Sequence, residues 1–534
     1  MPSSSSPMVL PRTFLRTMRR ASKRLKVADS IGTEMTGGTL LLRTLVLRRI
    51  LQRDVLAADE KNVGVLLPPS AGAFLVNAAL PLMQRVTVNL NYTVAENVMQ
   101  NCIDQAGIRH VLTSRKFAEK LNLKLNTELV YLEDLKPLAR LSDKVIAAVQ
   151  AKLLPVSMLE KQLGLLTIKP DDLLTIVFTS GSTGEPKGVM LSDENLRSNV
   201  AAIEAVIRLT DQDVILGILP FFHSFGYMVT FWTVMTLGLA GVYHFNPLDA
   251  QQVSKLCAKY GVTMMVATPT FFRTYLKRCE PAELKTLQIA VGGAERFPKE
   301  LIEAFAAKFG VRPVEGYGCT ELSPLVAVNI PPGRGNQKLA DDGLREGTVG
   351  RPVPNVQVRV VDLDSGAVLE SGKAGMLQVK GPNVMQGYLN RPELTEKAIA
   401  DGWYNTGDVA ILHPDGFIQI TGRESRFSKI GGEMVPHIKI EENLQQLLAT
   451  GEDELTLVVT AVPDERKGER LVVLHTAIPI APKELCKGLS ERGLPNLWIP
   501  GTDSFFQVET IPILGTGKVD LKGVKDKALE LTAG

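Results

Sequence analysis

The sequence predicts an α/β protein: a large N-terminal domain of helix-flanked sheets, a small β-rich subdomain, and a small α+β domain at the C-terminus. Alternation is the first ground. From Asn62 onward, short strand-like apolar runs at 62–67, 86–90, 111–113, 129–132, 174–178, 214–219, 262–267 and 287–291 are separated by helical periodicity, as at 249–259 and 299–309. That pattern belongs to parallel sheets covered by helices. Texture is the second. From about Gly347 the chain turns to short strands and glycine turns, with strands expected at 356–361, 376–379, 409–412 and 417–420. Length is the third. At 534 residues the chain exceeds one compact core, and the stretch after Arg423 is long enough to fold as a small domain.

Taken in order, residues 1–28 read as a basic, flexible N-terminal segment. Residues 29–422 form the large domain, with its β-rich part at about 347–422, and residues 423–534 the C-terminal domain. The first seven residues are Ser/Pro-rich. Arg12, Arg16, Arg19, Arg20, Lys23, Arg24 and Lys26 follow with no acid before Asp29, and Leu10, Phe14, Leu15 and Met18 could share one helical face. Two readings stand side by side: a membrane-surface helix, or a solvated tail packed weakly on the body. The segment has no apolar core of the secretory type, but its Arg/Ser-rich, acid-poor character also resembles a transit peptide.

Residues 225–245 carry no Asp, Glu, Lys or Arg and are long enough to span a bilayer. Gly238, Gly241, Thr230, Thr233 and Thr236 argue instead for a buried helix at 228–237, a glycine turn, and a strand at 241–245.

Composition narrows the function. Apolar residues are 45% and charged residues 22%, ordinary for a globular protein, and a net charge of +3 gives no footprint for nucleic acid. The five cysteines form no C-x-x-C pair, which reads as reduced intracellular thiols, and the six histidines show no metal-ligand spacing. No internal repeat is present.

The strongest motif is Thr179-Ser180-Gly181-Ser182-Thr183-Gly184-Glu185-Pro186-Lys187-Gly188, between apolar runs at 174–178 and 189–191. Its glycines allow a tight turn that presents N–H groups to phosphate oxygens, and its hydroxyls and lysine add donors and charge. It is not the G-x-x-x-x-G-K-[ST] loop of NTPases.

With that loop the chain resembles the acyl-adenylate-forming superfamily of acyl-CoA synthetases, adenylation domains and firefly luciferase. Further motifs follow in the family order: Pro220-Phe221-Phe222-His223-Ser224-Phe225-Gly226, Gly292-Gly293-Ala294-Glu295, Tyr317-Gly318-Cys319-Thr320-Glu321 and Trp403-Tyr404-Asn405-Thr406-Gly407-Asp408. Gly422-Arg423, Lys429-Ile430-Gly431-Gly432-Glu433 and Pro512-Ile513-Leu514-Gly515-Thr516-Gly517-Lys518 complete the set. The nearest likeness is to the acyl–acyl-carrier-protein synthetase module related to 2-acylglycerophosphoethanolamine acyltransferase, and to long-chain fatty-acid ligases. It rests on Val63-Gly-Val-Leu-Leu-Pro-Pro-Ser70, Val88-Asn-Leu-Asn-Tyr92 and residues 422–435 and 515–520. That module is often fused to an acyltransferase domain, so this chain would correspond to the ligase half.

The resemblance implies ATP-dependent activation of a fatty acid as acyl-AMP, then transfer to a pantetheine thiol on CoA or acyl carrier protein. It marks Lys518, Thr320, Glu321 and His223 as catalytic, with Lys518 supplying charge between the carboxylate and the α-phosphate. Thr179, Ser180, Gly181, Ser182, Thr183, Gly184 and Lys187 would cradle phosphates. Gly293, Ala294, Glu295, Tyr317 and Gly318 would flank the adenine, while Asp408 and Arg423 would hold the ribose. Lys429 would face the pantetheine channel. Mg²⁺ would bind at Glu321 and Thr179. The C-terminal domain would be a mobile lid turning at Ser425. A small residue at Gly318 implies open space behind the reacting carboxylate, and hence a long acyl chain. The implied setting is cytoplasmic, with peripheral contact at the inner membrane surface through the basic segment and no nucleic-acid partner. A catalytically weak nucleotide-binding partner of a membrane lysophospholipid acyltransferase is the alternative.

Two departures are visible: Ser425, where many members have Asp or Lys, and Leu514, where Thr or Ser is usual. His244 and Asp249 also fit the H-x-x-x-x-D pattern of glycerolipid acyltransferases, but Asp249 is placed to cap a helix.

Overall fold

The computed structural model describes residues 8–180, 185–295, 297–336, 343–423, 426–430, 433–448, 455–464, 466–513 and 519–533. The elements that frame the site are, in chain order, helix α1 (Leu10–Arg20), strand β1 (Leu25–Asp29), helices α2 (Gly37–Ile50), α3 (Leu141–Lys152) and α4 (Val156–Gln162), and strands β2 (Leu173–Ser180) and β3 (Pro186–Ser192). Strands β4 (Val314–Gly318), β5 (Gly387–Tyr388), β6 (Trp403–Leu412) and β7 (Ile418–Arg423) follow.

Short aliphatic runs make the strands. Met264–Ala267 and Ile289–Gly292 are buried along their whole length, as central strands of a helix-covered parallel sheet must be. They lie in a nine-stranded sheet with Val214–Gly217, Ala240–Tyr243, β1 and β4, all parallel to their neighbours. Antiparallel strands close its edges: Glu34–Thr36 at one, Leu325–Val328 and then Arg351–Pro352 at the other. A second sheet runs in the order β5, β3, β2, Val86–Asn89, Asn62–Leu66, His110–Thr113, Glu128–Tyr131. Only β3 and β5 in it run antiparallel to their neighbours. One continuous apolar cluster from Leu10 to Ile418 ties both sheets to the β-rich sheet of Gln357–Val361, Ala374–Lys380, β6 and β7. The C-terminal domain has apolar clusters of its own, built from Ile430 onward around Leu457–Asp464 and Gly468–His475.

Most of residues 225–245 is core, with Phe245 at its end exposed. A π-helix, Tyr227–Trp232, continues into Thr233–Thr236, and Ala240–Tyr243 is an inner strand of the first sheet. The buried threonines satisfy themselves: the hydroxyls of Thr230, Thr233 and Thr236 donate to the carbonyls four residues back. Among the described residues no helix is long and apolar enough to cross a membrane.

The N-terminal expectation needs correction. Helix α1 is neither a flexible tail nor a membrane helix, because Leu10, Phe14, Leu15 and Met18 are at most 1% exposed within the main core. Four cations of the basic run have partners in the body. Arg12 and Arg16 meet Glu160 at 3.0 and 2.6 Å, Arg19 donates to the carbonyls of Gln150 and Leu154, and Arg24 pairs with Asp211. Lys26 on β1 is fully buried against the Leu239 carbonyl, and desolvation followed by the Arg24 charge depresses its ammonium to about 7. A basic run beside an apolar stripe could not be distinguished by periodicity from a docked helix whose cations are used internally.

The Leu10 N–H donates to Asp193 Oδ1 at 2.7 Å, and burial pushes the Asp193 carboxyl up to about 7. A carboxyl whose pKa rises on folding contributes its stability fully below the unfolded value, near 3.9, and that contribution is lost as pH rises through 7. Asp193→Asn keeps the acceptor and removes the buried charge. It should therefore raise the melting temperature more at pH 8 than at pH 5, with a gain at pH 8 on the order of 2–4 kcal/mol. Equal gains at both pH values in scanning calorimetry would contradict this.

His244 is 2% exposed, with Nδ1 at 2.8 Å from Ser30 Oγ and Nε2 at 3.7 Å from Asp249. Asp249 Oδ1 accepts from the Gln252 N–H at 3.1 Å and so caps its helix as expected, and burial lowers the histidine pKa.

Candidate active site

Strands β2 and β3 pair as a hairpin whose register sets Thr179 opposite Lys187 and Ser180 opposite Pro186. Thr179 and Lys187 are therefore strand residues at the base of the polar loop. Gly181, Ser182, Thr183 and Gly184 lie outside the described residues, as does the Ser180 side chain. Lys187 Nζ sits 5.3 Å from the centroid of the Tyr388 ring. Strand β5 pairs with β3, Tyr388 opposite Val189, which fixes the ring there. The Tyr388 hydroxyl donates to Glu321 Oε1 at 2.9 Å.

Glu321 lies in the single 3₁₀ turn Thr320–Leu322 that follows β4. Three bonds clamp this turn to the segment before β5: Met385 N–H to the Glu321 carbonyl at 2.8 Å, Ser323 Oγ to the Asn383 carbonyl at 2.8 Å, and Asn383 Nδ2 to the Leu322 carbonyl at 3.1 Å. The Thr320 hydroxyl is 3.1 Å from that of Ser224, which joins the turn to the aromatic segment. His223 is exposed, with its ring 4.6 Å from Phe222, so it is not a core histidine.

Tyr317, one position before the end of β4, donates its hydroxyl to Asp408 Oδ2 at 2.6 Å. Arg423, opposite Asp408 on β7, meets Oδ1 through Nε at 3.0 Å. Asp408 is 5% exposed, and its burial raises the carboxyl pKa even though Arg423 and the Tyr317 hydroxyl oppose the rise. Each carboxylate oxygen keeps accepting capacity beyond its one bond. The Arg423 side chain is 68% exposed, so this chain of groups opens from a buried anion to a solvent-facing cation. The N–H of Asp408 is held by Thr406 Oγ1 at 3.0 Å. Between the two arrangements Cys319 is half-buried, and desolvation pushes its thiol pKa well up, which disfavours the thiolate.

Gly293 approaches the aromatic segment so closely that a Cβ there would lie 3.3 Å from the Phe225 ring. Ala294 takes a left-handed φ of 69°, which turns the chain, and Glu295 Oε2 accepts from Thr270 Oγ1 at 3.1 Å. Lys429 lies on the ribbon strand Phe427–Ile430, opposite Met434, with its side chain outside the described residues. Lys518, Ser425 and Leu514 are outside them altogether.

The structure overturns the open-space reading of Gly318. A Cβ on Gly318 would sit 1.8 Å from the Pro324 carbonyl oxygen and 3.2 Å from Leu325 Cα. Glycine is there because the neighbouring antiparallel strand crosses directly over it, with Leu325 in register, so the space is filled by backbone.

Sequence reading missed Tyr388, and it placed Ser224 and Thr406 within motifs without giving either a role of its own. The signal for Tyr388 was present: a Gly-Tyr pair followed by Leu389-Asn390-Arg391-Pro392. Its partner Glu321 is too distant along the chain for local pattern to reveal. Arg391 also belongs here, reaching Glu185 of the loop at 3.5 Å. Among the described residues no group of three or more His, Cys, Asp or Glu could by itself hold a metal ion.

Thr179 and Lys187 on a β-hairpin, the turn carboxylate of Glu321 and the Tyr317–Asp408–Arg423 chain thus stand at neighbouring strand ends of an α/β scaffold. The chain belongs to the AMP-binding enzyme family, whose model matches residues 14–389. Among its relatives, the long-chain-fatty-acid–CoA ligase of Yersinia pestis is 29% identical over 449 residues, covering 82% of this chain and 75% of that one. The long-chain-fatty-acid–CoA ligase of Salmonella typhimurium is 28% identical over 446 residues, covering 81% and 75%. The o-succinylbenzoate CoA synthetase of Bacillus subtilis, solved with its acyl-adenylate, shares the fold with a TM-score of 0.79 at 22% identity, covering 97% of this chain and 98% of that one.

Proposed function

We propose that this chain joins a long-chain fatty acid to a pantetheine thiol by way of an acyl-adenylate. The observation that carries the reading is the pair of side-chain arrays meeting at the strand ends: Lys187, Tyr388 and Glu321 on one side, Tyr317, Asp408 and Arg423 on the other. The names of the curated relatives support the fatty acid and CoA. The motif likeness to carrier-protein ligases keeps acyl carrier protein as the second acceptor to be tested.

A carboxylate is a poor electrophile, so it is first converted to a mixed anhydride with AMP, and its approach to the α-phosphate brings anions together. Fixed cations and oriented donors offset that charge as it develops. In this scheme Asp408 accepts from the ribose hydroxyls and Arg423 donates beside it. The Tyr317 ring backs the adenine, with Gly293, Ala294, Glu295 and Gly318 shaping its edge. Thr179, Lys187 and residues 180–184 receive the phosphates. Thr320, bonded to Ser224, links the Glu321 turn to the segment of His223, which faces the acyl carboxylate. Glu321 with Thr179 suits Mg²⁺, a hard cation that takes one or two protein oxygens and shares the rest with phosphate. When bound it would neutralise the leaving pyrophosphate. Lys518 would then enter with the C-terminal domain closed. Rotation at Ser425 would exchange it for the Lys429 ribbon, and the thiol would attack the anhydride with AMP as leaving group. The separate apolar clusters of the C-terminal domain support its motion as a body.

Tyr388→Phe removes the bond to Glu321 and keeps the ring over Lys187. A hydrogen bond to a charged group contributes about 1.5–3 kcal/mol, so kcat/KM for MgATP should fall by roughly 10- to 100-fold, with a melting temperature lowered by no more than the loss of that one bond. Steady-state kinetics with wild-type values would remove Tyr388 from the site. The substrate reading is tested by pyrophosphate release with acids from acetate to palmitate, using CoA and acyl carrier protein as alternative acceptors. Each methylene held in an apolar channel favours the longer acid by about 0.8 kcal/mol. A preference for acetate would refute the fatty-acid reading.

A further inference from the structure

Helix α3 is amphipathic in the wrong sense for a globular protein. Its inward face is Asp143, Ala147, Gln150 and Ala151, while Leu141, Val145, Ile146 and Val149 point to solvent. A surface helix ordinarily buries its apolar stripe. Leu141 and Leu153 are 78% and 75% exposed, and Met158 on α4 continues the stripe. Eight of the fifteen exposed large apolar side chains among the described residues fall between Leu138 and Leu166.

Charges hold this platform in place. Asp143, fully buried, receives Arg49 Nε at 2.9 Å and Arg53 Nη1 at 2.6 Å. Arg19 of α1 bonds the carbonyls of Gln150 and Leu154 at the end of α3, and Arg12 and Arg16 grip Glu160 of α4. The anchoring is thus polar and the outer face is left aliphatic. The only acids within 138–166, Asp143 and Glu160, are both buried, whereas Arg140, Lys144, Lys152 and Lys161 are exposed.

We propose that α3 and α4 form a docking face for the surface of an anionic lipid bilayer, with the aliphatic stripe entering the acyl boundary and the four cations meeting headgroups. The exposed charges within 138–166 are all positive, with Arg140 also 3.9 Å from Asp54, and they complement such a surface. The apolar members include no aromatic side chain, although protein–protein interface cores are enriched in aromatics. An apolar patch rimmed by charge is not left exposed without use. This surface is distinct from the basic N-terminal run, whose Arg12, Arg16 and Arg19 serve as its anchors.

The test is flotation of the full chain with vesicles of phosphatidylcholine alone and with one-third phosphatidylglycerol, at two salt concentrations. Binding to the anionic vesicles that weakens with salt is expected. Lys144→Gln with Lys152→Gln should weaken it by about 25-fold, since each cation near the surface is worth about fivefold. Val145→Glu, Val149→Glu and Leu153→Glu together should weaken it by more than tenfold in protein that remains folded by circular dichroism. The paired lysine variant gives an independent reading if the triple variant folds poorly. Wild-type protein that does not float, or a folded triple variant that floats as well as wild type, would overturn the proposal. So would light scattering that shows a dimer abolished by the triple variant without vesicle binding, which would make the face a contact between copies of the chain.

Discussion

Replacing Lys518 with alanine is expected to slow acyl-AMP formation by roughly 10²- to 10³-fold, the usual effect of deleting one group that stabilises developing charge. Thioester formation from supplied acyl-AMP should proceed at nearly the wild-type rate. The asymmetry follows from the proposed division of labour: the lysine serves only the closed arrangement, and a lid that exchanges it for the Lys429 ribbon leaves the second half-reaction intact. Lys518 lies outside the described residues, so its role rests on the match of residues 512–518 to the family's lysine loop. Pyrophosphate release and thioester yield, measured on the same preparation, check the prediction. Equal loss of both half-reactions would rule out the exchange.

Gly318→Ala should be nearly as damaging, and for a steric reason. The added methyl meets the Pro324 carbonyl oxygen at a separation no atom pair tolerates, so the strand Leu325–Val328 must move. Overpacking of this kind costs about 1–3 kcal/mol. Tyr317 lies immediately before the strained position and Glu321 just beyond it, and a displacement of about 1 Å can cost roughly 10² in rate. A lower melting temperature together with a loss of adenylation of about 100-fold is expected. An alanine variant with full activity would show that the site does not depend on this strand crossing.

The inner parallel strands of the first sheet were legible because they are short aliphatic runs, as at Met264–Ala267 and Ile289–Gly292, whereas β4 and β5, which carry Tyr317 and Tyr388, are short and rich in glycine and were not expected as strands. Asp408 and Arg423 were singled out separately by motif, and the register of β6 against β7 sets them side by side. Tyr388 escaped because its meaning lies in a bond to Glu321 formed only when β5 joins β3. The N-terminal run was misread because local pattern shows that cations are present but not that Glu160 and the end of α3 are waiting for them. Gly318 was misread for a related reason: the absence of a side chain leaves room or admits a neighbour, and only the crossing strand decides which. The outward aliphatic stripe of α3 has no sequence signature that separates it from an inward one.

Adenylate chemistry at the Tyr317–Asp408–Arg423 and Glu321–Tyr388–Lys187 arrays leaves a distinct set of products. Product analysis tests it most directly. The purified chain is given ATP, magnesium, palmitate and a pantetheine thiol, and nucleotide products are separated alongside the thioester. AMP, pyrophosphate and thioester are expected in equal amounts, all dependent on the acid and all lost in Asp408→Ala. ADP and phosphate as products, or AMP formed at the same rate without the acid, would contradict it.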